Sequence, residues 1–525
     1  MKESKQPSER ARILRESKRG VVHVVFGRSM VIVLLLLLQI YILFGAFVSL
    51  SHYIPYLFGS ILVFTAVMLL YILNKEGNPT VKLTWCIVIA VLPAFGAMLY
   101  FYVRFDLGHR LEQRLIETTV KESACYVPDQ SELMERIRQQ DRELYSMAYY
   151  MRRSAGAAVC ENTDVQYFSV GEDKFSQMLV QMEKAERFIF LEYFAIAKGE
   201  MWSQILEILA RKASQGVEVR VMYDGTSSIV ALPYNYPREL ETLGIQCKMF
   251  SPLRPLVSTH YNNRDHRKIL VIDGHTAFTG GVNLDDRYIN RQEAFGHWKD
   301  TAVMLKGDAA RNFTLLFLQM WNANEKERIY EPYLQPVDYK SSGSGFVIPY
   351  GDSPMDRENV GEMVYLNILN QAKDYVYIMT PYLILDHEMV TALRFAAKRG
   401  VDVRLVLPHI PDKKYAFVLA KTHYRELIEA GVKIYEYTPG FVHAKVFLSD
   451  DRHGVVGTIN LDFRSLYLHF ECAAYLYKVS ALADIKADFN ETMEKSQQIT
   501  MEDVHKQGII TKLAGAILKV AAPLM

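Results

Sequence analysis

Two stretches of the chain repeat one set of chemically active side chains. "RDHRKILVID" (264–273) carries His266, Lys268 and Asp273, and "FVHAKVFLSD" (441–450) carries His443, Lys445 and Asp450 at the same offsets. The match continues downstream. Gly280 and Gly457, then Asn283 and Asn460, keep their distances from the two histidines, and each Asn is followed by Leu-Asp. With each residue type used about one time in twenty, one chance match to His, Lys, Asp, Gly and Asn has odds on the order of one in a million per start site. A lone strand histidine usually reads as a satisfied structural residue; the paired context reverses that reading. An imidazole changes charge near neutrality, so one copy can be neutral while its partner is charged. Such a pair suits a nucleophile and an acid, with the two ammonium groups supplying positive charge. Lysine is a charge donor rather than a usual ligand, so His-Lys-Asn sets give a metal centre little support, and no cofactor is expected.

The elements that must position these groups are legible in the flanking pattern. His and Lys at i and i+2 share one face of a strand, and the alternating "KILVID" and "KVFLSD" runs place both pairs on strands. The glycines before each Asn suit a turn that admits close backbone approach. Upstream, "RFIFLEYFAIA" (187–197) and "DYVYIMTPYLI" (374–384) read as buried strands. Each precedes a helical segment that ends near a glycine, after which G-V-acid-V-R opens another strand: "ILARKASQGVEVRVMYD" (208–224) and "ALRFAAKRGVDVRLVLP" (392–408). "ELETLGIQCKMF" (239–250) and "ELIEAGVKIYEY" (426–437) follow, each a helix end, a Gly and a short strand. Strands alternating with helices imply an α/β layout in each half. The self-similarity, at a period of about 180 residues, indicates a duplicated domain rather than a solenoid.

At 525 residues the chain holds two ordinary domains and an appendage. Its net charge of +1 gives no electrostatic case for a nucleic-acid partner. Cys86, Cys125, Cys160, Cys247 and Cys472 are scattered, which supports neither a zinc site nor a disulfide framework. A basic leader (1–29) precedes three hydrophobic runs at 30–50, 56–73 and 83–103, the last broken by Pro93 and Gly96. They read as transmembrane helices of a multi-pass integral membrane protein. A cleaved signal peptide fits poorly, because leader and apolar run are too long and no small-residue cleavage site follows. A polar helical connector spans 104–150, the first soluble half 151–337, a Ser/Gly/Pro-rich linker 338–354 and the second half 355–500. In 501–525, Ile510, Leu513, Ile517, Val520 and Leu524 form a stripe at helical spacing, with Lys512 and Lys519 off it. That helix reads equally as docked on the domain or as lying in a membrane interface.

The paired H-x-K-x-x-x-x-D motifs with a following G-x-x-N resemble the phospholipase D superfamily over about residues 150–500. Within it, "NPTVKLTWCIVIAVLPAFGAMLY" (78–100), "NNRDHRKILVIDG" (262–274), "FTGGVN" (278–283) and "GHWKDT" (296–301) are similar to bacterial cardiolipin synthases. The run 30–50 is a departure, since that family more often has two spans. The resemblance implies two α/β/α sandwich halves packed face to face, with one active site at their interface. It implies a phosphatidyltransferase: one histidine attacks a phosphodiester, the other protonates the departing alkoxide, and Lys268, Lys445, Asn283 and Asn460 hold the phosphoryl oxygens. Asp300 is then expected to orient the histidine of the first half and Glu471 that of the second. Asp273 and Asp450 belong to the catalytic motif by resemblance, but their place at the strand end reads as anchoring a turn. His297 has no assigned role, and Trp298 reads as packing.

The implied partners are phosphatidylglycerol and cardiolipin in the bacterial cytoplasmic membrane. A hydrolase or phosphatidylserine synthase using the same site, a membrane-tethered nuclease and a silent scaffold are the rival classes. Eight basic residues precede Met30, which places the amino terminus in the cytoplasm. Three spans would then turn the catalytic halves outward, whereas a bend at Pro93 and Gly96 would let the third segment re-enter.

Overall fold

A computed structural model describes residues 54–104, 107–228, 231–251, 263–336, 338–356 and 358–524, with a few helical positions between 34 and 42. The leader and most of the first hydrophobic run lie outside the described residues. Contacts divide the chain near residue 110 into two compact units.

In the amino-terminal unit the helices Ile54–Asn74, Pro79–Val91 and Pro93–Arg104 enclose a small core of Met68, Ile72, Trp85, Ile89, Ala97 and Tyr100. The single span expected at 83–103 is corrected. The chain leaves helical geometry at Leu92 (φ −129°, ψ 74°), and Pro93 opens a new helix. Proline's fixed ring and missing N–H break the ladder at that point. Gly96 then packs on the preceding helix, where a Cβ would stand 2.8 Å from the Val88 carbonyl oxygen. The 13-residue helix Pro79–Val91 reaches only about 20 Å, against a hydrocarbon core of about 30 Å. The side chains of Ile54–Asn74 are described from Gly59 onward, with Leu62, Val63, Val67 and Leu70 exposed. Among the described residues no helix is long and apolar enough to cross a membrane.

The larger unit holds two sheets. The first contains β1 (Thr163–Phe168), β2 (Phe188–Tyr193), β3 (Glu218–Asp224), β4 (Gln246–Phe250), β6 (Lys268–Ile272), β7 (Thr276–Gly280) and β9 (Ala302–Gly307). Two short strands, β5 (Arg264–Asp265) and β8 (His297–Lys299), stand outside it. The second contains β10 (Phe346–Asp352), β11 (Tyr375–Met379), β13 (Asp402–Pro408), β14 (Lys433–Tyr437), β16 (Val446–Ser449), β17 (His453–Gly457), β19 (His469–Tyr477) and β20 (Ser496–Ile499). β12 (Leu383–Ile384), β15 (Gly440–Val442) and β18 (Leu461–Asp462) are its short outliers.

The sheet orders are β1-β9-β7-β6-β2-β3-β4 and β10-β19-β17-β16-β11-β13-β14, with β20 added at the second edge. The duplication is therefore strand for strand. The linker expected at 338–354 is corrected at its end: Phe346–Asp352 is β10, paired antiparallel with β19. Its alternating "FVIPY" was hidden by the Ser and Gly before it.

Alternation along the strands decides what each sheet buries. Phe188 and Phe190 of β2 point into a core shared with Val446 and Leu448 of the second sheet, between the helices Asp308–Trp321 and Ala481–Glu494. Ile189 and Leu191 point the other way, against the helices Gly171–Met182 and Glu200–Ser214. Val376 and Ile378 do the same against Val360–Gln371 and His387–Lys398. Two mixed sheets thus face one another across a common core, with helices outside each.

Near the carboxyl end, the helix Ile509–Ala521 packs on Lys414–Glu429. The close approach is at Gly515, where a Cβ would come within 2.7 Å of Thr422. Four of the five residues of the predicted apolar stripe, Ile510, Leu513, Ile517 and Val520, are exposed rather than docked, and the Leu524 side chain lies outside the described residues.

Candidate active site

Both histidines stand where an extended run changes partners. β5 pairs in parallel with the start of β19, in the other half, and His266 N–H donates to the Phe470 carbonyl (2.9 Å) before β6 joins its own sheet at Lys268. In the second half β15 pairs in parallel with β8, and His443 N–H donates to the Lys299 carbonyl (2.7 Å) before β16 begins at Val446. The expected strand placement holds for neither histidine: each lies in the crossing between sheets rather than within a ladder.

This crossing also exchanges the carboxylates. His266 Nδ1 lies 2.9 Å from both oxygens of Glu471, and His443 Nδ1 lies 2.7 Å from Asp300 Oδ2. Each imidazole is held by the opposite half, which corrects the pairing expected from the sequence. The parallel pairings β5/β19 and β15/β8 set this arrangement, because Glu471 in β19 comes directly after the residues paired with β5 and Asp300 comes directly after β8. The Asp300 carboxylate is tightly held: its Oδ1 accepts from Thr301 N–H (2.8 Å), and a Cβ on Gly281 would sit 2.0 Å from that oxygen. Glu471 instead accepts from the Thr458 hydroxyl.

Lys268 Nζ donates to the His266 carbonyl (2.6 Å), and Lys445 Nζ donates to the His443 carbonyl and lies 2.9 Å from His443 Nδ1. All four side chains are buried. Burial, followed by the neighbouring lysines, holds both imidazolium forms well below the usual histidine range. Burial lowers Lys268 to about 8 and Lys445 to about 7, and raises Asp300 to about 6. The resting cleft therefore favours neutral imidazoles, each with Nδ1–H directed to a carboxylate and Nε2 carrying the free lone pair.

Asn283 is braced through both amide atoms and Asn460 through Nδ2 alone, its buried Oδ1 having no hydrogen-bond partner among the described residues. Asn283 Oδ1 accepts from Ala195 N–H (3.1 Å) and its Nδ2 donates to Tyr288 Oη (2.7 Å); Asn460 Nδ2 donates to Ser465 Oγ (3.0 Å). The motif glycines serve strand packing instead of an open turn: a Cβ on Gly280 would meet the Thr301 carbonyl oxygen at 2.3 Å, and one on Gly457 would meet the Cys472 carbonyl oxygen at 2.5 Å.

Asp273 and Asp450 are placed away from this chemistry. At about 3.3 Å per residue, β6 sets Asp273 about 16 Å along the strand from Lys268. Its carboxylate accepts from the N–H groups of Glu186, Arg187 and Phe188 at 2.8–2.9 Å. Asp450 accepts from Lys373, Asp374 and Tyr375 at 2.8–3.0 Å. Both sit in the left-handed region, with φ of 53° and 52°, and tie a hairpin turn to the start of β2 or β11. They stand outside the catalytic group to which the motif assigned them.

Sequence reasoning missed three neighbours, His469, Tyr288 and Lys174, and read a fourth, Trp298, as packing. Trp298 and His469 stand two residues before Asp300 and Glu471, and each ring lies 5.3 Å from a histidine, His443 and His266 respectively. Tyr288 meets His443 edge-on at 5.3 Å. Lys174, buried on the helix Gly171–Met182 and lowered to about 7 by burial, donates to Tyr193 Oη (3.1 Å). Aligning the two carboxylates would have exposed the Trp298/His469 position; Lys174 lies outside any repeated motif. His297 lies 3.1 Å from Tyr437 Oη through Nδ1, at the strand pairing β8/β15.

The family described as "Cardiolipin synthase, PLD-like domain" matches residues 178–321 and 365–493, and "Phospholipase_D-nuclease N-terminal" matches 63–104. An uncharacterized protein of Streptococcus mutans is 52% identical over 87% of this chain and 99% of its own length. A cardiolipin synthase of Geobacillus kaustophilus is 33% identical over 89% of this chain and 94% of its own, and one of Alkalihalophilus pseudofirmus is 32% identical over 86% and 90%. Among solved structures, phosphatidylserine synthase of Haemophilus influenzae is similar in fold, with a TM-score of 0.55 at 13% identity over 73% of this chain and 98% of that one. With its duplicated sheets, its cross-paired histidines and these alignments over most of its length, the chain belongs to the cardiolipin synthase family of phospholipase D-like proteins.

Proposed function

We propose that this chain transfers a phosphatidyl group from one phosphatidylglycerol to a second, forming cardiolipin and releasing glycerol. The observation that carries the reading is the meeting of two histidine–carboxylate pairs and two buried ammonium groups where the duplicated halves join. One imidazole Nε2 attacks phosphorus, and the bond to the glycerol oxygen breaks. The other histidine gives that oxygen its proton, and glycerol leaves. The same histidine then takes the proton from a hydroxyl of the second phosphatidylglycerol, whose oxygen displaces the phosphohistidine. Lys268 and Lys445 stabilise the charge on the phosphoryl oxygens, with Asn283 and Asn460 bordering them. An anionic substrate phosphate adds the charge that lets one of two otherwise neutral imidazoles take up a proton.

Lipid substrates suit the apolar surfaces. The amino-terminal segments seat the protein in the bacterial membrane as a multi-pass anchor, supported by the basic leader and the exposed Leu62, Val63, Val67 and Leu70. The break at Leu92–Pro93 favours a re-entrant third segment over a full crossing. Mass-spectrometric product analysis tests the reaction, with phosphatidylglycerol, serine and water offered together as acceptors. Cardiolipin and free glycerol in equal amounts are expected; phosphatidylserine or phosphatidic acid as the main product overturns the reading.

A further inference from the structure

We propose that His266, His469 and Glu471 form a binding site for a borderline transition-metal cation of the Zn2+ class, and that its occupancy arrests the enzyme. One ligand atom from each residue lies within 4.8 Å of the others, and all three residues are buried. His266 Nδ1 is 2.9 Å and His469 Nδ1 is 3.6 Å from Glu471 Oε1. Ligands about 2.0–2.1 Å from a tetrahedral zinc stand about 3.4 Å apart, so both separations bracket what such an ion requires. Two imidazoles and a carboxylate are also a donor set that zinc favours, with a fourth position left for water or a phosphoryl oxygen.

His469 supplies the independent observation. It is only 7% exposed, yet neither ring nitrogen makes a hydrogen bond among the described residues. A buried imidazole without a hydrogen bond is costly, and a cation would satisfy it. Nothing in the phosphoryl-transfer chemistry requires a third imidazole. Among the described residues, Trp298 rather than a histidine occupies the corresponding place beside His443. The site is therefore one-sided.

Occupancy would stop turnover through the tautomer of His266. A cation on Nδ1 takes the lone pair there, and the ring proton moves to Nε2. Nε2 then has no lone pair with which to attack phosphorus or accept a proton. Glu471, drawn to the cation, no longer orients the ring. The ion enters and leaves without net proton loss, so chelation restores the enzyme.

The test uses the detergent-solubilised full chain. Micromolar free Zn2+, buffered, should inhibit transfer and EDTA should reverse it, while Mg2+ at the same concentration should not inhibit. In His469→Trp, the inhibitory Zn2+ concentration, measured against that variant's own metal-free rate, should rise at least about tenfold; His469→Cys, which restores a ligand, should keep the wild-type sensitivity. Co2+ should give the visible absorption of a tetrahedral site in the wild type and not in His469→Trp or the smaller change His469→Gln. That readout is independent of which phosphodiester is used, so its failure and failure of the lipid reading are distinguishable. Equal zinc sensitivity in wild type and His469→Trp, or the absence of the cobalt band in the wild type, overturns the proposal.

Discussion

The two half-sites are built on the same strands and yet are not copies. His443 is held by a short carboxylate, Asp300, and surrounded by Tyr288, Trp298 and Phe441. His266 is held by a longer one, Glu471, beside Phe194 and His469. The extra methylene of Glu471 is accommodated by Thr458, whose hydroxyl donates to it, where the first half has Gly281 pressed against Asp300. Between His and Lys, Arg267 is locked in a buried ion pair with Asp265 and Glu192, while Ala444 is simply core. Duplication preserved the geometry that brings each imidazole to the interface, and the surroundings of each then diverged. The comparison teaches that the pair is equivalent in position and unequal in environment, as a nucleophile and an acid should be.

The largest effects test the equivalence itself. His266→Ala and His443→Ala should each reduce turnover by at least about 10³-fold with the fold retained, read by circular dichroism and product formation. Near-normal activity in either variant breaks the two-histidine mechanism. Only the variant that keeps the attacking histidine should trap an acid-labile phosphoenzyme, and that identifies the nucleophile.

Next come the carboxylates. Glu471→Gln and Asp300→Asn should each cost about 10²-fold in kcat, because a wrongly oriented tautomer loses much of an imidazole's acid–base value. Nitrogen NMR of the ring should show Glu471→Gln perturbing His266 rather than His443. The reverse result would restore pairing within each half.

The lysines set the pH behaviour. Lys445, at about 7, and Lys268, at about 8, lose their charge as pH rises through those values, so kcat/KM should fall between pH 7 and 9. Stability should run the other way. Both lysines are lowered in the folded state, so the unfolded chain binds more protons between about pH 7 and the ordinary lysine range, and stability rises with pH there. The thermal midpoint of the wild type relative to Lys445→Met should therefore climb across the interval in which activity declines. A flat difference would show that the lysine is not perturbed.

The smallest effects lie at the turns. Asp273→Ala should cost about 2–3 kcal/mol and Asp450→Ala about 1 kcal/mol, measured by denaturant unfolding. The ranking follows from burial: one of the bonds to Asp273 is buried and the other two part-buried, whereas two of those to Asp450 are exposed. Activity per folded molecule should survive both changes. Its abolition in either would return the motif aspartates to the chemistry.

Much of this was legible in the sequence because duplication writes equivalent positions twice. His266 and His443, the G-V-acid-V-R strands and the motif asparagines announce themselves by recurrence, and a duplicated α/β layout follows from them. What recurrence does not encode is a contact between unlike positions. The bond from His266 to Glu471 joins one repeat's motif to the other's downstream strand, and no alignment of the halves places them together. His469 was hidden because its counterpart is Trp298, so the position differs just where it matters. β10 was lost to the composition of its neighbours, and Pro93, noticed as a weak point, proved to be a full break.

The crossed carboxylates also change how inherited lesions in this gene should be read. A substitution at 471 is a lesion of the imidazole at 266, although 205 residues separate them; a substitution at 300 is a lesion of 443. Alleles sorted by which repeat they fall in would be grouped wrongly. Sorted by which histidine they disable, damage in the front of the gene and damage in the back become one phenotype.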